Sequence, residues 1–270
     1  MDNVNKQFSN FKIHTQYSIC EGAIKIDNLA DYCKNNKIKS IGISDNYNLC
    51  GALEFAEKIS KVGTQPIIGT QIKFLLDGFI GKLPLFATSE VGYKNLVKLS
   101  SKSFLNTEKN SDPHCKFDDL LNFQEDVILL SGNQDDLFGN LFQKNKLKII
   151  EESFKKLKKI FNDRLYIEIQ RHNEKGEKQF ENFLISLSSK LEIPIIASQE
   201  VFYLNKEMYE AHDALVCIGE KNFVDDKNRF RYSNQHYIKS NEALEKLYSD
   251  IPEALENNYN FHLRFNFKPK

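Results

Sequence analysis

Seven short runs of apolar residues, each ending in side chains that bind metals or protons, constrain this chain more than any other feature. Runs of this length with few polar interruptions are typical of strands buried on both faces, as in a parallel sheet. Barrel enzymes place their chemistry at the carboxyl ends of such strands. The seven stretches are 10–18, 40–46, 66–71, 83–88, 127–133, 165–172 and 194–200.

Helical patterns occur between these runs, and no linker rich in Pro, Gly or Ser interrupts them. Phe154, Leu157 and Phe161, for example, share one face of a helix that precedes the sixth run. Strand and helix alternating seven times favours one parallel α/β domain. Polar residues after every strand favour a barrel over an open sheet, in which a single switch point would suffice.

The pattern changes after residue 207. Helices are predicted over 208–218, 241–248 and 252–259, with a charged loop over 225–232. We therefore expect a barrel over residues 1–207 and a helical extension over residues 208–270. The last residues include Phe261, Phe265 and Phe267 with no following partner. We expect the extension to lead towards further domains.

Composition limits the function classes. The formal net charge of +0 gives no overall field that attracts nucleic acid, so any such contact needs a local patch. The five cysteines are odd in number and form no CxxC pair, which favours reduced thiols. No signal-peptide core or membrane-spanning apolar run is present. We expect a soluble, cytoplasmic protein without membrane contact.

Several motifs resemble the polymerase-and-histidinol-phosphatase (PHP) domain. More narrowly, they are similar to the amino-terminal PHP domain of bacterial replicative DNA polymerase III alpha subunits, and stretches 211–215, 225–230 and 250–255 are similar to the segment that follows it there. The resemblance implies a distorted seven-stranded (β/α)7 TIM-like barrel with a C-terminal helical extension. The motifs are His14-Thr-Gln-Tyr-Ser18, Ser44-Asp-Asn-Tyr-Asn-Leu-Cys-Gly51, Pro66-Ile-Ile-Gly69 and Ile167-Glu-Ile-Gln-Arg-His172.

The resemblance also implies a site. PHP phosphoesterases hold three metal ions with His, Asp, Glu and sometimes Cys side chains at the strand ends. In this chain the expected ligand types are kept at His14, Asp45 and His172. Other residues stand at the remaining ligand positions, namely Lys12, Asn46, Gln71, Lys82, Asn133, Glu200 and Phe202.

These replacements remove most of the expected metal affinity. The amides of Gln71 and Asn133 keep an oxygen but lose charge or basicity, and Phe202 cannot bind a metal at all. Lys12 and Lys82 place ammonium groups where dications would lie, and like charges repel. A single weakly bound divalent metal stays conceivable, and no other cofactor is expected. Its ligands would be His14, Asp45, His172 and Glu200.

The kept histidines and Asp45 also have structural interpretations. His14 and His172 are either surviving ligands or buried histidines bonded to Asp45 or Glu168. Asp45 is a ligand, a loop or helix cap, or a partner of Lys12.

More than one interpretation is also open for the two lysines and the other histidines. Lys12 and Lys82 either hold Asp45 and Glu200 in ion pairs or lie solvated on a rim. The remaining histidines fall outside the strand ends and are expected at the surface or in packing. They are His114, His212, His236 and His262.

Three functions compete. The first, which we favour, is the PHP portion of a replicative polymerase, silent by itself, that supports the polymerase body and docks the proofreading exonuclease subunit. DNA would be contacted through the parent protein, whose nucleotidyl transfer needs a palm domain that these residues lack. The second is a metal-dependent phosphoesterase, either a 3'-5' exonuclease or a pyrophosphatase. The third is a free-standing phosphatase of the histidinol-phosphate type. The replaced ligands count against the second and third.

Overall fold

The computed structural model describes residues 6–105, 107 and 111–270. Among them, nine strands form one sheet: β1 (Asn10–Ile13), β2 (Ser40–Asn46), β3 (Gln65–Leu76), β4 (Phe79–Ala87), β5 (Cys115–Lys116), β6 (Val127–Leu130), β7 (Leu165–Ile169), β8 (Ile195–Ala197) and β9 (Glu200–Val201).

Ten α-helices accompany the strands in the described part of the chain. None of them is long and apolar enough to cross a bilayer. The helices are α1 (Ile26–Asn35), α2 (Ala52–Lys61), α3 (Glu90–Leu105), α4 (Phe117–Asn122), α5 (Leu137–Gln143), α6 (Leu147–Phe161), α7 (Glu177–Leu191), α8 (Tyr209–Glu220), α9 (Asn241–Leu247) and α10 (Pro252–Phe261), with 3-10 turns at Asn162–Arg164, Lys206–Met208 and His262–Arg264.

The sheet curls into a barrel-like shape. Its strand order is β8-β7-β6-β4-β3-β2-β1-β9, with β5 beside β3. The two edges of that path, β8 and β9, are separated in the chain by only Ser198 and Gln199. The predicted seventh strand is therefore split, its first half pairing with β7 and its second half with β1. The α/β barrel-like fold predicted from the sequence is confirmed.

The expected sevenfold parallel alternation is wrong at one place. β4 runs antiparallel to both β3 and β6, and no helix separates β3 from β4. The connection is the two-residue turn Asp77-Gly78, with positive φ at both residues (49° and 80°). Such a turn suits a hairpin, whereas a parallel crossover needs about a dozen residues. The sheet is consequently mixed.

The helical extension closes the amino-terminal end of the barrel. Phe261 of α10 is buried, with its ring 4.3 Å from Phe11 of β1 and 5.9 Å from Tyr166 of β7. Gln65, at the start of β3, donates its amide to the carbonyl of Phe265 at 2.8 Å. These contacts leave the opposite, carboxyl-terminal end for the polar side chains. The predicted domain boundary at residue 207 stays a prediction.

One buried asparagine of the extension joins the strands on either side of the split. Asn258 Nδ2 donates to the carbonyls of Ser9 (3.1 Å) and Ala197 (2.9 Å), and its Oδ1 accepts the N–H of Ser9 at 2.8 Å. Ser9 directly precedes β1, and Ala197 ends β8. This side chain therefore links β8 to the start of β1 across the split between β8 and β9, which we call the seam.

We predict that Asn258→Ala lowers the free energy of unfolding by about 2–4 kcal/mol, because three buried backbone groups lose their partners. The matched control is Asn260→Ala on the same helix, whose exposed amide bonds only Glu256 at 3.1 Å. Urea unfolding measures both variants, and the control should change stability by less than about 0.5 kcal/mol. Equal effects of the two substitutions would show that Asn258 does not hold the seam.

Candidate functional site

The polar cluster lies at the carboxyl ends of the strands and is built around Glu200. Glu200 begins β9 and pairs in register with Lys12 of β1. Its Oε1 accepts hydrogen bonds from His14 Nε2 at 2.9 Å and Gln71 Nε2 at 2.8 Å. Its Oε2 accepts one from Asn133 Nδ2 at 2.7 Å. Both carboxylate oxygens are therefore occupied by protein donors.

Lys12 lies at the centre of the curl with a fully buried side chain. Its Nζ is 3.4 Å from Glu168 Oε2 and 3.8 Å from both Asp136 Oδ2 and Glu200 Oε1. Burial by itself disfavours the ammonium, but attraction by Glu168, Glu200 and Asp136 outweighs it and raises the pKa of Lys12. The structure thus holds a charged amine among three carboxylates.

Lys82, which is half-buried, adds a second positive charge near the carboxylates of Glu200 and Asp136. Burial opposes the charge of Lys82, yet Glu200 and Asp136 hold its pKa well above the ordinary value. Burial would raise the pKa of Glu200, but Lys12, the His14 hydrogen bond and Lys82 lower it far below its usual range. Glu200 is therefore ionised, and its Oε1 lies 3.8 Å from Lys12 Nζ, which supports the ion-pair interpretation of Lys12, one of the two that the sequence left open.

Asp45 is not a partner of Lys12, and this expectation is wrong. Its Oδ1 accepts the Thr15 N–H at 2.6 Å and the Ser18 hydroxyl at 2.7 Å, while its Oδ2 accepts the Thr15 hydroxyl at 2.7 Å. Burial raises the pKa of Asp45 against these hydrogen bonds. The carboxylate holds the loop after β1, which matches the loop-cap interpretation. It reaches His14 only through Ser18, whose Oγ is 3.2 Å from His14 Nδ1.

Two replaced positions pack around the cluster. The ring of Phe202 stacks on the imidazole of His14, with centroids 4.4 Å apart and planes at 21°. Phe202 therefore occupies the space where a ligand from this position would lie. The Asn46 side chain points to Glu21, to whose carboxylate it donates a hydrogen bond.

His172 is buried and does not bond Asp45 or Glu168, contrary to expectation. Its Nε2 lies 3.1 Å from Gln170 Oε1 and 3.2 Å from the backbone nitrogen of Glu200. Its ring stacks on His236 with centroids 4.0 Å apart. Burial and the neighbouring His236 hold its pKa well below the usual value, so this imidazole is neutral.

All ten positions singled out in the sequence thus lie at or near one end of the barrel, but their description as vestigial metal positions stays a prediction. His236 and His212 are also buried there, in packing contacts with Phe202. Asp136, which directly precedes the short α5, was not expected in this cluster, and Glu168 was expected only as a hydrogen-bond partner. An acidic residue inside the apolar run Ile167–Ile169 was the signal for Glu168.

The donor set does not fit a metal cluster. Within the described ranges no group of three His, Cys, Asp or Glu side chains is arranged to hold a metal ion. Glu200 directs both oxygens at protein donors, and Glu168 shares its carboxylate between Lys12 and the Ser198 hydroxyl. A dication would have to displace the buried ammonium of Lys12 to reach these oxygens.

Comparison with known proteins identifies the family of the chain. Residues 10–172 match the family model described as the PHP domain. The DNA polymerase III subunit alpha of Rickettsia prowazekii (strain Madrid E) is 35% identical over 263 residues, covering 97% of this chain and 22% of the relative. The same subunit of Caulobacter vibrioides is 33% identical over 260 residues, covering 93% of this chain and 23% of the relative.

The chain spans about a fifth of the length of these curated relatives. A distant likeness links it to a crystal structure described as a metal-dependent phosphoesterase from Bifidobacterium adolescentis, at 11% identity and a TM-score of 0.48, covering 72% of this chain and 87% of that one. Because the family model covers more than half of the sequence, the chain belongs to the PHP domain family.

Proposed function

We propose that this chain is a catalytically silent PHP domain that supports the body of a replicative DNA polymerase III alpha subunit. The observation that carries the proposal is the ammonium of Lys12, buried among Asp136, Glu168 and Glu200. Similarity over 97% of the chain to DNA polymerase III alpha subunits supports the choice of parent protein.

The lysine supplies inside the protein the positive charge that metals supply in a phosphoesterase. Three carboxylates buried together repel one another and are costly unless a cation compensates them. Lys12, assisted by Lys82, provides that compensation without an exchangeable ion. The cluster then stabilises the carboxyl end of the barrel and leaves no Lewis acid to activate a water.

The competing functions have less support. A phosphoesterase needs open coordination positions, whereas Glu200 uses both oxygens on His14, Gln71 and Asn133. A free-standing histidinol-phosphate phosphatase would also leave unexplained the similarity that extends through the helical extension. A single weakly bound divalent ion held by His14, Asp45, His172 and Glu200 has less support as well, because protein donors occupy both oxygens of Glu200. Primer extension and DNA contact belong to the rest of the parent protein.

We further propose that the domain docks the proofreading exonuclease subunit and the neighbouring parts of the polymerase. The similarity to DNA polymerase III alpha subunits over 97% of the chain supports a place in the replicative polymerase, and the family resemblance implies the docking role. A cytoplasmic location follows from a place in the replication machinery.

We predict that Lys12→Met lowers the free energy of unfolding by about 3–5 kcal/mol at pH 7, because it leaves three buried carboxylates without their cation. The matched control is Lys6→Met, which breaks the exposed Lys6–Glu256 pair (2.5 Å) and should cost less than about 1 kcal/mol. Chemical denaturation followed by circular dichroism measures both. A Lys12 variant as stable as the control would contradict a compensating role for this amine.

Docking is tested by binding the purified exonuclease subunit to the immobilised domain. We expect saturable binding with a micromolar or lower dissociation constant. Lys6→Met, a stable surface variant, serves as the control for correct folding after immobilisation. Failure of the folded domain to bind at micromolar concentration would exclude the docking role and leave the supporting role alone.

A further inference from the structure

A groove of about 830 Å³ lies between the first half of α3 and the last residues of the chain. We call it the α3 groove; residues 90–98 and 266–270 form its two walls. α3 follows β4, and β4 runs antiparallel to β3 and β6, so α3 begins at the end of the barrel that Phe261 closes. The groove is therefore separate from the Lys12 cluster, which lies at the opposite end.

The tail that forms the second wall, residues 265–270, is neither helix nor strand. Phe265 and Pro269 are buried and Phe267 is half-buried, whereas the residues between them are exposed. This alternation is typical of an extended segment with one face against the protein. The ring of Phe267 lies 5.5 Å from the ring of Tyr93 on α3, with planes at 39°. Apolar contacts thus hold the tail beside α3.

The rim of the groove carries an excess of positive charge. Four lysines line it, against a single acid, Glu90. Lys94 pairs with Glu90 at 2.7 Å. The ion pairs within 4 Å among the described residues include none made by Lys98, Lys268 or Lys270. Three exposed ammonium groups therefore have no close carboxylate.

The surroundings of these lysines do not remove the excess. The Lys94 hydrogen bond and the attraction by Lys94 lower the pKa of Glu90, and Lys270 adds to this effect. Two lysines thus share one carboxylate. Lys98 Nζ lies 5.8 Å from the centre of the Phe123 ring, a contact that leaves its charge without a counter-charge.

We propose that the α3 groove binds an acidic peptide segment of a partner protein, with an apolar side chain in the groove and carboxylates at the lysines. Protein interfaces combine an apolar centre with a polar rim. Val97, which is 41% exposed, lines the groove with Tyr93 and Phe267 and supplies the apolar centre. The unpaired lysines supply a rim complementary to Asp and Glu side chains.

Other occupants fit this surface less well. A two-fold dimer through the same groove would bring lysines against lysines, because such an interface uses the same patch on both copies. Single-stranded nucleic acid needs aromatic faces on which bases stack, whereas Tyr93 and Phe267 are half-buried and contact each other. The formal net charge of +0 also gives no overall attraction for a polyanion.

The test uses a fluorescein-labelled peptide in which glutamates flank two leucines, and fluorescence anisotropy measures its binding to the full chain. We expect saturable binding with a dissociation constant of about 10 μM at low salt. Affinity should fall about tenfold when the salt concentration rises from about 50 to about 300 mM, since the lysines are exposed. Peptides with glutamines for the glutamates, or serines for the leucines, should each bind about tenfold more weakly.

Substitutions locate the binding surface. Joint replacement Lys98→Gln and Lys268→Gln removes two unpaired charges and should weaken binding about tenfold, and Val97→Ser should weaken it about threefold. The matched control is Lys175→Gln, an exposed lysine outside the groove, which should change affinity less than about twofold. All these side chains are exposed, so circular dichroism should show the same fold in every variant.

Hydrogen exchange gives an independent check, because the bound peptide should slow exchange of the tail amides over residues 265–270. No saturable binding of the acidic peptide at about 100 μM would overturn the proposal. Binding that survives the joint Lys98 and Lys268 substitution, unchanged exchange in the tail, or tighter binding of an oligothymidylate than of the peptide would overturn it as well.

Discussion

The buried ammonium of Lys12 is the interaction on which the carboxyl end of this barrel depends. It reaches Glu168 of β7, Asp136 before α5 and Glu200 of β9, so one side chain from β1 connects three separate elements. These carboxylates would otherwise repel one another in a low-dielectric interior. The charge cluster and the strand arrangement are therefore interdependent, because the amine needs the acids to remain charged and the acids need the amine to remain buried.

The split of the last strand positions this cluster. β8 pairs with β7, the chain passes through Ser198 and Gln199, and β9 then pairs with β1. The Ser198 hydroxyl donates a hydrogen bond to Glu168, and Glu200, two residues later, lies 3.8 Å from Lys12. The short segment that joins β8 to β9 therefore contributes two contacts to the Lys12 cluster. Asn258 supports the same seam from the extension. The helical extension is thus part of the barrel's packing, and Phe261 closes the end remote from the cluster.

Much of this arrangement could be predicted from the sequence. The apolar runs located the strands, and the family resemblance gave the curled α/β sheet. The weakened metal site that the residue types at positions 12, 71 and 202 indicate stays a prediction. The partner of Lys12 was only half predicted. Glu200 was correct, but Asp45 is engaged by Thr15 and Ser18 instead, because a loop backbone N–H and two hydroxyls already satisfy its oxygens. Side-chain partners across a barrel depend on curvature and register, which local sequence does not encode.

Three other features could not be predicted from local sequence patterns. The Asp77-Gly78 turn was visible, but its consequence, an antiparallel β4 between parallel strands, depends on pairing that the alternation of runs does not specify. Asp136 was missed because α5 is only seven residues long and gives too short a periodic signal. His236 was correctly expected to be a packing or surface residue, yet its stacking on His172 follows from the fold of the loop after α8.

The metal content of the purified chain shows whether the Lys12 ammonium has taken the place of bound metal ions. After equilibration with zinc or manganese and removal of the free ion, elemental mass spectrometry should find no stoichiometric metal, because Lys12 holds the position among the carboxylates. Stoichiometric metal that is lost on substitution of His14 or His172 by alanine would contradict the account and make the PHP site a functional metal centre.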